Sequence, residues 1–241
     1  MLRFDLPYFD ERQGSIDMIV VHSIAHDVKG AIEAFHRHQV SAHYLIDEKG
    51  RIYQFVDDDK RAWHAGISSW KGQENLNHNS MGIELCSSSL GQKAYPLAQI
   101  SALIRLCRRL KRKYHIKKER IVGHSDIAPM RKADPGKAFP WEYLARRNLG
   151  VWYDLKNASK VEENDEKALL SDIGYDVSDL NAAKWAFVRH FMGKYVPDDS
   201  IKNLEMKPYG DKIGVPQDEF LSVLKAVAFE LKRYFCAKIP Y

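Results

Sequence analysis

The sequence predicts an α/β protein with a mixed central β-sheet flanked by helices, followed by a small C-terminal all-α domain of three helices. Up to about residue 155, short apolar segments typical of strands alternate with segments of helical periodicity. A polar and acidic stretch at 160–167 follows, and beyond it only helical patterns occur. The hydrophobic fraction of 45% and the charged fraction of 29% are typical of a folded protein. These observations predict two domains, residues 1–158 and residues 159–241.

The first predicted strand is the apolar run at 18–21, in which three of the four residues are β-branched. A helical pattern follows at 28–39. The next segments predict a hairpin, because apolar strands at 42–46 and 51–56 flank a polar turn at 47–50 that ends in glycine. The second arm of this hairpin alternates apolar and polar residues, as a half-buried strand does.

Two further strands and a long helix complete the predicted sheet. Residues 80–86 and 119–123 are short apolar segments of strand type. Between them, residues 96–114 place apolar side chains at helical spacing, which predicts a helix packed against the sheet. A loop rich in proline and aspartate follows at 124–140.

The C-terminal part predicts three amphipathic helices, at 165–173, 180–192 and 216–236, each with apolar residues three or four positions apart. The segment is long enough to hold a small helical core. In the second of these helices, His190 stands in the last turn, where a basic side chain complements the helix dipole. We therefore expect His190 to act at the helix end rather than as a ligand.

Composition and charge limit the classes of protein to consider. Lys and Arg number 37 against 32 Asp and Glu, a formal net charge of +5, which suits an anionic substrate without indicating a nucleic-acid-binding protein. The three cysteines are widely spaced, so we expect neither a disulfide framework nor a cysteine metal cluster. No apolar run of signal-peptide type or of membrane-spanning length stands out. We expect a cytoplasmic protein, with the periplasm or cell envelope as the alternative, and favour a monomer.

Four of the ten histidines stand at or beside the ends of apolar strand segments: His22, His43, His64 and His124. Asp134 follows the last of them within the same loop. Two imidazoles and one carboxylate form a common catalytic zinc shell, with a fourth position left for water. A lone histidine in such a place is more often a hydrogen-bonded structural residue, and that alternative stays open for each of them. The spacing is not HExxH, which excludes a thermolysin-type site.

Five blocks of sequence form a series within residues 17–141: IVVHS (19–23), SAHYLID (41–47), KRAWHAG (60–66), NSMGIEL (79–85) and GHSDIAPMRKADPG (123–136). In content and order they resemble the zinc-dependent N-acetylmuramoyl-L-alanine amidases of type 2, which share their fold with peptidoglycan recognition proteins. The likeness is greatest to the cytoplasmic AmpD-type and the lipid-anchored AmiD-type branches. The resemblance implies a hydrolase that cleaves the amide between N-acetylmuramic acid, or its 1,6-anhydro form, and L-alanine of the stem peptide. It implies peptidoglycan or a muropeptide as partner, and a place in cell-wall recycling or remodelling.

Matched position by position, the resemblance implies one zinc ion (Zn2+) per chain, held by three ligands: His22, His124 and Asp134. It places Glu84 where the family keeps a carboxylate that orients the attacking water and takes its proton. It places Lys132 where the family has a lysine that stabilises the oxyanion of the tetrahedral intermediate. The alternatives are that Glu84 only pairs with a cation and that the neighbouring Arg131 takes the role of Lys132.

The resemblance also implies five residues that line the substrate groove: His43, Arg61, Trp63, His64 and Asn77. Core packing is the alternative for Trp63, as for most tryptophans. One departure stands beside the first ligand, where Ser23 occupies a position at which relatives often carry Thr or Asn. This departure bears on substrate contacts rather than on the metal site.

The C-terminal part has a likeness of its own. Residues 168–177 and 181–191 resemble the three-helix peptidoglycan-binding module, although Val188 and Arg189 stand where glutamine is frequent. The resemblance implies a helical domain that binds glycan. The alternative is a helical cap that only supports the catalytic domain.

Two other functions compete with the amidase. A recognition protein of the same fold would bind muropeptides without cleaving them, but such proteins typically lose a metal ligand, and all three candidates are present here. A nucleic-acid-binding role is the other alternative, because residues 105–120 contain nine Lys or Arg. The apolar stripe of the same segment instead predicts that these basic residues form the solvated side of a packed helix.

Overall fold

The computed structural model describes residues 1–195 and 214–236 of the 241-residue chain. The described residues contain ten strands: β1 (Leu2–Arg3), β2 (Phe9–Glu11), β3 (Met18–Ile24), β4 (Tyr44–Ile46), β5 (Ile52–Gln54), β6 (Lys60–Ala62), β7 (Ser69–Trp70), β8 (Gln73–Glu74), β9 (Ser80–Cys86) and β10 (Ile121–Gly123). They also contain seven α-helices: α1 (Val28–His38), α2 (Leu97–Lys113), α3 (His124–Ile127), α4 (Trp141–Ala145), α5 (Glu166–Ile173), α6 (Leu180–Phe191) and α7 (Gln217–Cys236). Short 3₁₀ turns lie at Leu76–His78, Lys118–Arg120, Leu155–Lys160 and Gly193–Tyr195.

Six strands form one mixed sheet in the order β1-β5-β4-β9-β3-β10. β4 and β5 pair antiparallel as the predicted hairpin, whereas β4, β9, β3 and β10 run parallel to one another. The predicted α/β class with a mixed sheet is therefore confirmed. The parallel arrangement brings the carboxyl ends of β3, β9 and β10 to one edge of the sheet, where the candidate site residues follow.

The strands differ in length from the sequence prediction where pairing decides the length. β3 extends to Ile24 because it pairs with β9 over seven positions, and His22 therefore lies inside the strand opposite Glu84 rather than after it. The predicted strand 119–123 begins only at Ile121, since the preceding residues form a 3₁₀ turn. The end of β3 carries no sequence signal, because it depends on the partner strand.

One face of the sheet is covered by α2. Its predicted apolar stripe is confirmed: Leu103, Cys107 and Leu110 are fully buried against strand residues that include Ile19 and Ile83. The basic residues of this helix stand mostly on its exposed side. The burial of alternate strand residues under this helix provides much of the apolar core.

The opposite face of the sheet is only partly apolar. Phe35 of α1 packs with Leu45 of β4 and other residues of one hydrophobic cluster. On β3, Met18 and Val20 belong to a second cluster that also contains residues of the C-terminal helices. His22 is the next residue on that side of β3, so the polar site begins where the apolar cluster ends.

The three predicted C-terminal helices are present as α5, α6 and α7, although residues 196–213 and 237–241 of this region lie outside the described residues. Their core is continuous with that of the sheet, since Leu170, Phe187 and Phe220 share a cluster with Val20 and Val122. The structure thus shows the helices without showing a separate three-helix domain. The division of the chain at residue 158 stays a prediction.

His190 lies in the last turn of α6, as predicted, and its ring has in addition a carboxylate partner in the protein interior. Its ring is 8% exposed, its Nδ1 lies 2.8 Å from a carboxylate oxygen of the fully buried Asp126, and the ring stacks on Trp141. Asp126 also accepts hydrogen bonds from the Tyr175 hydroxyl group and from Gly123 N. Helical periodicity could not reveal this pairing, because the partner lies 64 residues earlier in α3.

Within residues 1–195 and 214–236, no helix combines the length and the apolar character needed to cross a membrane.

Candidate active site

The three predicted metal ligands converge at the carboxyl edge of the sheet. His22 lies in β3, His124 directly follows the neighbouring β10, and Asp134 follows in the loop after α3. The Nδ1 atoms of the two histidines are 2.9 Å apart, and Asp134 Oδ2 lies 3.6 Å from His22 Nδ1 and 3.1 Å from His124 Nδ1. The two rings are almost fully buried, at 1% and 5% exposure. Three donor atoms therefore point at one small volume.

Backbone contacts hold the loop that carries Asp134. Its carbonyl oxygen accepts a hydrogen bond of 2.9 Å from Ser125 N, and its carboxylate accepts one of 3.3 Å from Ser23 N. Gly136 has a φ of +86°, and a Cβ atom there would lie 2.4 Å from the carbonyl oxygen of Leu90. The glycine of the block ADPG is thus required by a close backbone approach.

The charges around the ligand atoms act on one another. Burial and the neighbouring His124 lower the pKa of His22 to about 4. Burial would raise the pKa of Asp134, but the charge and hydrogen bond of His124 hold it well below its ordinary value. The site therefore favours neutral His22 beside an ionised Asp134 at neutral pH.

The second nitrogen of each histidine ring is also engaged. His22 Nε2 lies 3.0 Å from His64 Nδ1, and His124 Nε2 lies 3.3 Å from the carbonyl oxygen of Ala65. His64 itself is 8% exposed, and its Nε2 lies 3.2 Å from Ser80 Oγ. The structure thus brings His64 beside the metal ligands, with partners at both of its ring nitrogens.

Glu84 stands opposite His22 in the parallel pair of β3 and β9, so both side chains project from the same face of the sheet. Its Oε2 atom is buried and has no hydrogen-bond partner within the described residues. Burial, followed by the charge of Asp134, raises the pKa of Glu84 to about 8, while Lys132 acts in the opposite direction. An unpaired buried carboxyl oxygen beside three converging donor atoms marks this residue as a candidate for chemistry.

Lys132 and Arg131 are neighbours in sequence but differ in their contacts. Arg131 Nη2 donates to the carbonyl oxygen of Ala65 at 3.1 Å and also to that of Ile67. No hydrogen bond or salt bridge joins Lys132 Nζ to another residue in the described part of the chain, and Lys132 lines the same cavity as Glu84. The guanidinium group of Arg131 therefore holds the backbone of residues 65–67 in place, whereas the ammonium group of Lys132 makes no comparable contact within the described residues.

Two adjoining cavities form a groove past the site. One, of about 420 Å³, contains Glu84, His124 and Asp134 in its lining. The other, of about 560 Å³, extends towards Asp176 of the C-terminal part. Four of the lining residues are shared by the two cavities: Trp63, Gly66, Asn77 and Arg131.

The remaining predicted groove residues lie at different depths. Trp63 and Asn77 border both cavities, and Arg61 lines the larger one while its guanidinium group pairs with both carboxylate oxygens of Asp10. His43 has no exposed surface. Its ring accepts from Gly82 N at 3.0 Å, and burial followed by the charge of Arg12 lowers its pKa to about 3. The groove-lining role of these residues stays a prediction.

Sequence reasoning missed three residues around the site: Arg12, Ser80 and Gly82. Arg12 is partly buried and donates to four backbone carbonyl groups. Two of them lie in the turn before β9, one lies at the start of β9, and one lies at the start of β6. Ser80 and Gly82 share the side of β9 that carries Glu84. A small or polar residue at every second position of an otherwise apolar strand was the available signal.

Comparisons with known proteins agree with this geometry. The family model described as N-acetylmuramoyl-L-alanine amidase matches residues 12–137. N-acetylmuramoyl-L-alanine amidase AmiD of Escherichia coli (strain K12) is 39% identical, and the match covers 67% of this chain and 67% of the relative. The 1,6-anhydro-N-acetylmuramyl-L-alanine amidase AmpD of Haemophilus influenzae is 37% identical, and the match covers 58% of this chain and 88% of the relative.

A solved structure extends the likeness to the whole fold. The complex of AmiD from Escherichia coli with anhydro-N-acetylmuramic acid-L-Ala-D-gamma-Glu-L-Lys has a TM-score of 0.73 and 31% sequence identity to this chain. The match covers 92% of this chain and 93% of that one. The similarities favour a hydrolase over a non-catalytic recognition protein of the same fold. The chain therefore belongs to the N-acetylmuramoyl-L-alanine amidase family of type 2, enzymes that hydrolyse the amide between N-acetylmuramic acid, or its 1,6-anhydro form, and L-alanine.

Proposed function

We propose that His22, His124 and Asp134 hold one zinc ion, and that Glu84 and Lys132 carry out amide hydrolysis beside it. Tetrahedral zinc with ligand bonds of 2.0–2.1 Å places its ligand atoms about 3.3 Å apart. The three separations here, 2.9, 3.1 and 3.6 Å, bracket that value. Two imidazoles and a carboxylate are also a donor set that zinc accepts readily. This fit is the observation that carries the proposal.

Proton positions support a cation at the same place. His124 Nε2 faces a carbonyl group, which can only accept, so this nitrogen carries the proton of the neutral ring. His124 Nδ1 is then a bare acceptor, and it faces the carboxylate of Asp134 at 3.1 Å. Two acceptors at this distance need a proton or a metal cation between them, and a zinc ion bound to both would take the place of the proton.

Glu84 is the proposed general base. A zinc ion held by the three ligands would polarise the scissile carbonyl group and lower the pKa of a water molecule towards about 7. In its ionised form, which the positive charge of a bound zinc ion would favour, Glu84 takes a proton from the attacking water as the water oxygen bonds to the lactyl carbonyl carbon. The carboxyl group then gives that proton to the nitrogen of L-alanine as the C–N bond breaks. The unpaired Oε2 atom is available for this transfer. The products are a carboxylic acid and an amine, and transfer of the acid proton leaves a carboxylate and an ammonium group.

Lys132 is the proposed donor to the oxyanion of the tetrahedral intermediate. Lys132 lines the cavity that contains Glu84, and its ammonium group makes no salt bridge within the described residues. Arg131, the alternative, is committed to the carbonyl groups of Ala65 and Ile67. Stabilisation of an oxyanion needs a positively charged donor that is not already paired with another group.

The groove supports a substrate with an extended shape, such as a sugar joined to a peptide. We propose that the amide bond lies over the smaller cavity, and that Trp63, Arg61 and Asn77 contact the sugar or the peptide. AmpD of Haemophilus influenzae is named for the 1,6-anhydro form, and the AmiD complex contains an anhydro sugar. Soluble anhydro-muropeptides are therefore the first substrate to test.

Mass spectrometry of defined muropeptides, with and without the anhydro ring, tests the proposal. The zinc-loaded protein should release a stem peptide that begins with L-alanine, and a chelator should abolish the release. Absence of cleavage of both substrates by fully metallated protein would contradict the proposed chemistry.

Two further assignments are proposals as well. We keep the cytoplasm as the expected compartment, with the cell envelope as the alternative, and fractionation of cells that make the protein would decide between them. We also keep a glycan-binding role for the C-terminal helices, which sedimentation with purified peptidoglycan would test.

A further inference from the structure

Two consecutive residues contact the outer nitrogens of the two proposed histidine ligands: the His64 ring contacts His22 Nε2, and the Ala65 carbonyl oxygen contacts His124 Nε2. We propose that His64 and Ala65, here called the histidine clamp, fix the orientation and the tautomer of His22 and His124. We further propose that Asn77, Ser80 and Gly82 hold the clamp in place. The inference rests on the proposed zinc site and assigns to this segment a positioning role.

The first half of the clamp is a directed chain of hydrogen bonds. Ser80 Oγ donates to the carbonyl oxygen of Leu76, so the same hydroxyl oxygen accepts from His64 Nε2 at 3.2 Å. His64 Nδ1 is then unprotonated and accepts from His22 Nε2 at 3.0 Å. His22 therefore carries its proton on Nε2 and presents a bare Nδ1 to the other two ligands. Each link of the chain has one direction that satisfies every atom.

The second half of the clamp is a backbone carbonyl group. Ala65 O lies 3.3 Å from His124 Nε2, which fixes that ring in the same tautomer, with Nδ1 free to ligate. Arg131 Nη2 also donates to this oxygen and keeps it in position. A short segment thus sets both histidines in the form that binds a metal ion.

Three residues hold the segment against the sheet. Asn77 Oδ1 accepts from the backbone N–H groups of His64 and Ala65, at 3.1 and 2.8 Å. Gly82 lies beneath the imidazole of His64, because a Cβ atom there would stand 2.4 Å from the ring. Ser80 is fully buried and contacts the far side of the ring. Together these contacts leave His64 one position.

The contacts of the His64 ring indicate how this residue contributes to the site. The ring is buried and both of its nitrogens already have partners, so its contribution is made through His22 rather than through the substrate. Outer contacts of this kind change metal affinity by about 10–100-fold when they are removed. The clamp therefore predicts an effect on zinc affinity that is separate from any effect on substrate binding.

The test compares His64→Leu with His64→Gln. Leucine fills the volume but offers no acceptor to His22 Nε2, whereas the glutamine side-chain oxygen can accept. We expect the zinc dissociation constant, measured by competition with a chelator, to rise about 10–100-fold in His64→Leu and to be largely restored in His64→Gln. Leu103→Ala, on the opposite side of the sheet, is the control for lost stability and should keep the wild-type constant.

A second pair keeps the proposal testable if His64→Leu fails to fold. Asn77→Ala removes the acceptor for both backbone N–H groups, and Asn77→Asp retains it. Zinc affinity should fall in the first variant and recover in the second. In the wild type, NMR of ¹⁵N-labelled histidine should show that the proton of His22 is on Nε2.

The possible results separate the two proposals. Failure of the wild-type protein to bind zinc would overturn the proposed metal site itself. Zinc binding by the wild type, with equal affinity in His64→Leu and Asn77→Ala, would overturn the clamp alone. A proton on His22 Nδ1 in the metal-loaded protein would also overturn the clamp.

Discussion

The two faces of the central sheet are built from the same strands but have different chemistry. On β3 and β9, Ile19, Val21 and Ile83 face α2 and are completely buried in an apolar cluster. On the opposite side, His22 and Glu84 project from alternate positions of the same two strands. The first face gains stability by removing apolar area from water, whereas the second must satisfy buried polar atoms one by one. At this end of β3 and β9, a difference of one residue in position thus separates the apolar cluster under α2 from the proposed chemistry.

The polar face satisfies the outer nitrogens of the proposed metal ligands. Those of His22 and His124 have partners in the histidine clamp. Their Nδ1 atoms face each other and the carboxylate of Asp134, and Glu84 Oε2 has no hydrogen-bond partner within the described residues. A buried polar atom without a partner is costly, so this unpaired oxygen beside three converging donor atoms indicates a site that is completed by a ligand.

Removal of a metal ligand should give the largest effect on the polar face. In His124→Ala we expect loss of zinc from the purified protein and loss of activity, because two donors remain where three are needed. Metal analysis after dialysis measures the first effect, and circular dichroism checks that the fold is kept. One equivalent of zinc in the variant would remove His124 from the site.

Replacement of Glu84 should separate chemistry from metal binding. In Glu84→Gln the side chain keeps its size but cannot take a proton from water, so turnover should fall by about 10²–10⁴-fold. Zinc content should stay at one equivalent, since Glu84 is not a proposed ligand. Turnover at the wild-type rate would exclude Glu84 as the general base.

Lys132→Ala should lower turnover by about 10²–10³-fold, the usual cost of one oxyanion donor. The loss should appear mainly in kcat, because the proposed charge acts on the intermediate rather than on the bound substrate. Arg131→Ala provides the comparison, since its loss weakens the contacts to Ala65 and Ile67. With both variants saturated with zinc, a larger fall in kcat for Arg131→Ala than for Lys132→Ala would reverse the assignment.

A substitution on the apolar face should change stability without changing the site. Leu103 is fully buried under the sheet, and Leu103→Ala should lower the free energy of unfolding by about 2–5 kcal/mol. Denaturant titration measures this loss, and chelator competition should find unchanged zinc affinity. A parallel loss of zinc affinity would show that the two faces are coupled.

The buried carboxyl group of Glu84 should make the metal-free protein sensitive to pH. Because its folded-state pKa is raised to about 8 from an ordinary 4.5, the folded state keeps this proton while the unfolded state loses it. Stability should therefore fall as the pH rises from about 4.5 to 8. At pH 7, Glu84→Gln should stabilise the metal-free protein by about 1–3 kcal/mol, and much less at pH 4. Equal stability of the two proteins at both pH values would contradict the raised pKa.

Much of the fold could be predicted from local pattern. The alternation in the hairpin and the periodicity of 96–114 gave β4, β5 and α2 within a few residues. The strand ends could not be predicted, since β3 extends through His22 only because β9 pairs with it. The partner of His190 was likewise hidden, because Asp126 is distant in sequence and is reached only through packing of α6 on α3.

The candidate site shows the same limit. The resemblance of the five sequence blocks predicted His22, His124 and Asp134 as one set of ligands. The structure brings their donor atoms within 4.8 Å of one another. The resemblance could not separate Lys132 from Arg131, because that distinction depends on which carbonyl groups the guanidinium reaches. Nor could it reveal that Ser80 orients a ring that contacts a ligand. Hydrogen-bond direction is a property of three-dimensional neighbours, and no spacing in the sequence encodes it.

The proposed metal site is tested most directly by an anomalous diffraction map of zinc-loaded crystals, measured at the zinc absorption edge. We expect one peak per chain, in contact with His22 Nδ1, His124 Nδ1 and Asp134 Oδ2, with both Nε2 atoms turned towards the histidine clamp. A peak at another place, or zinc bound through an Nε2 atom of either histidine, would contradict the proposed metal site.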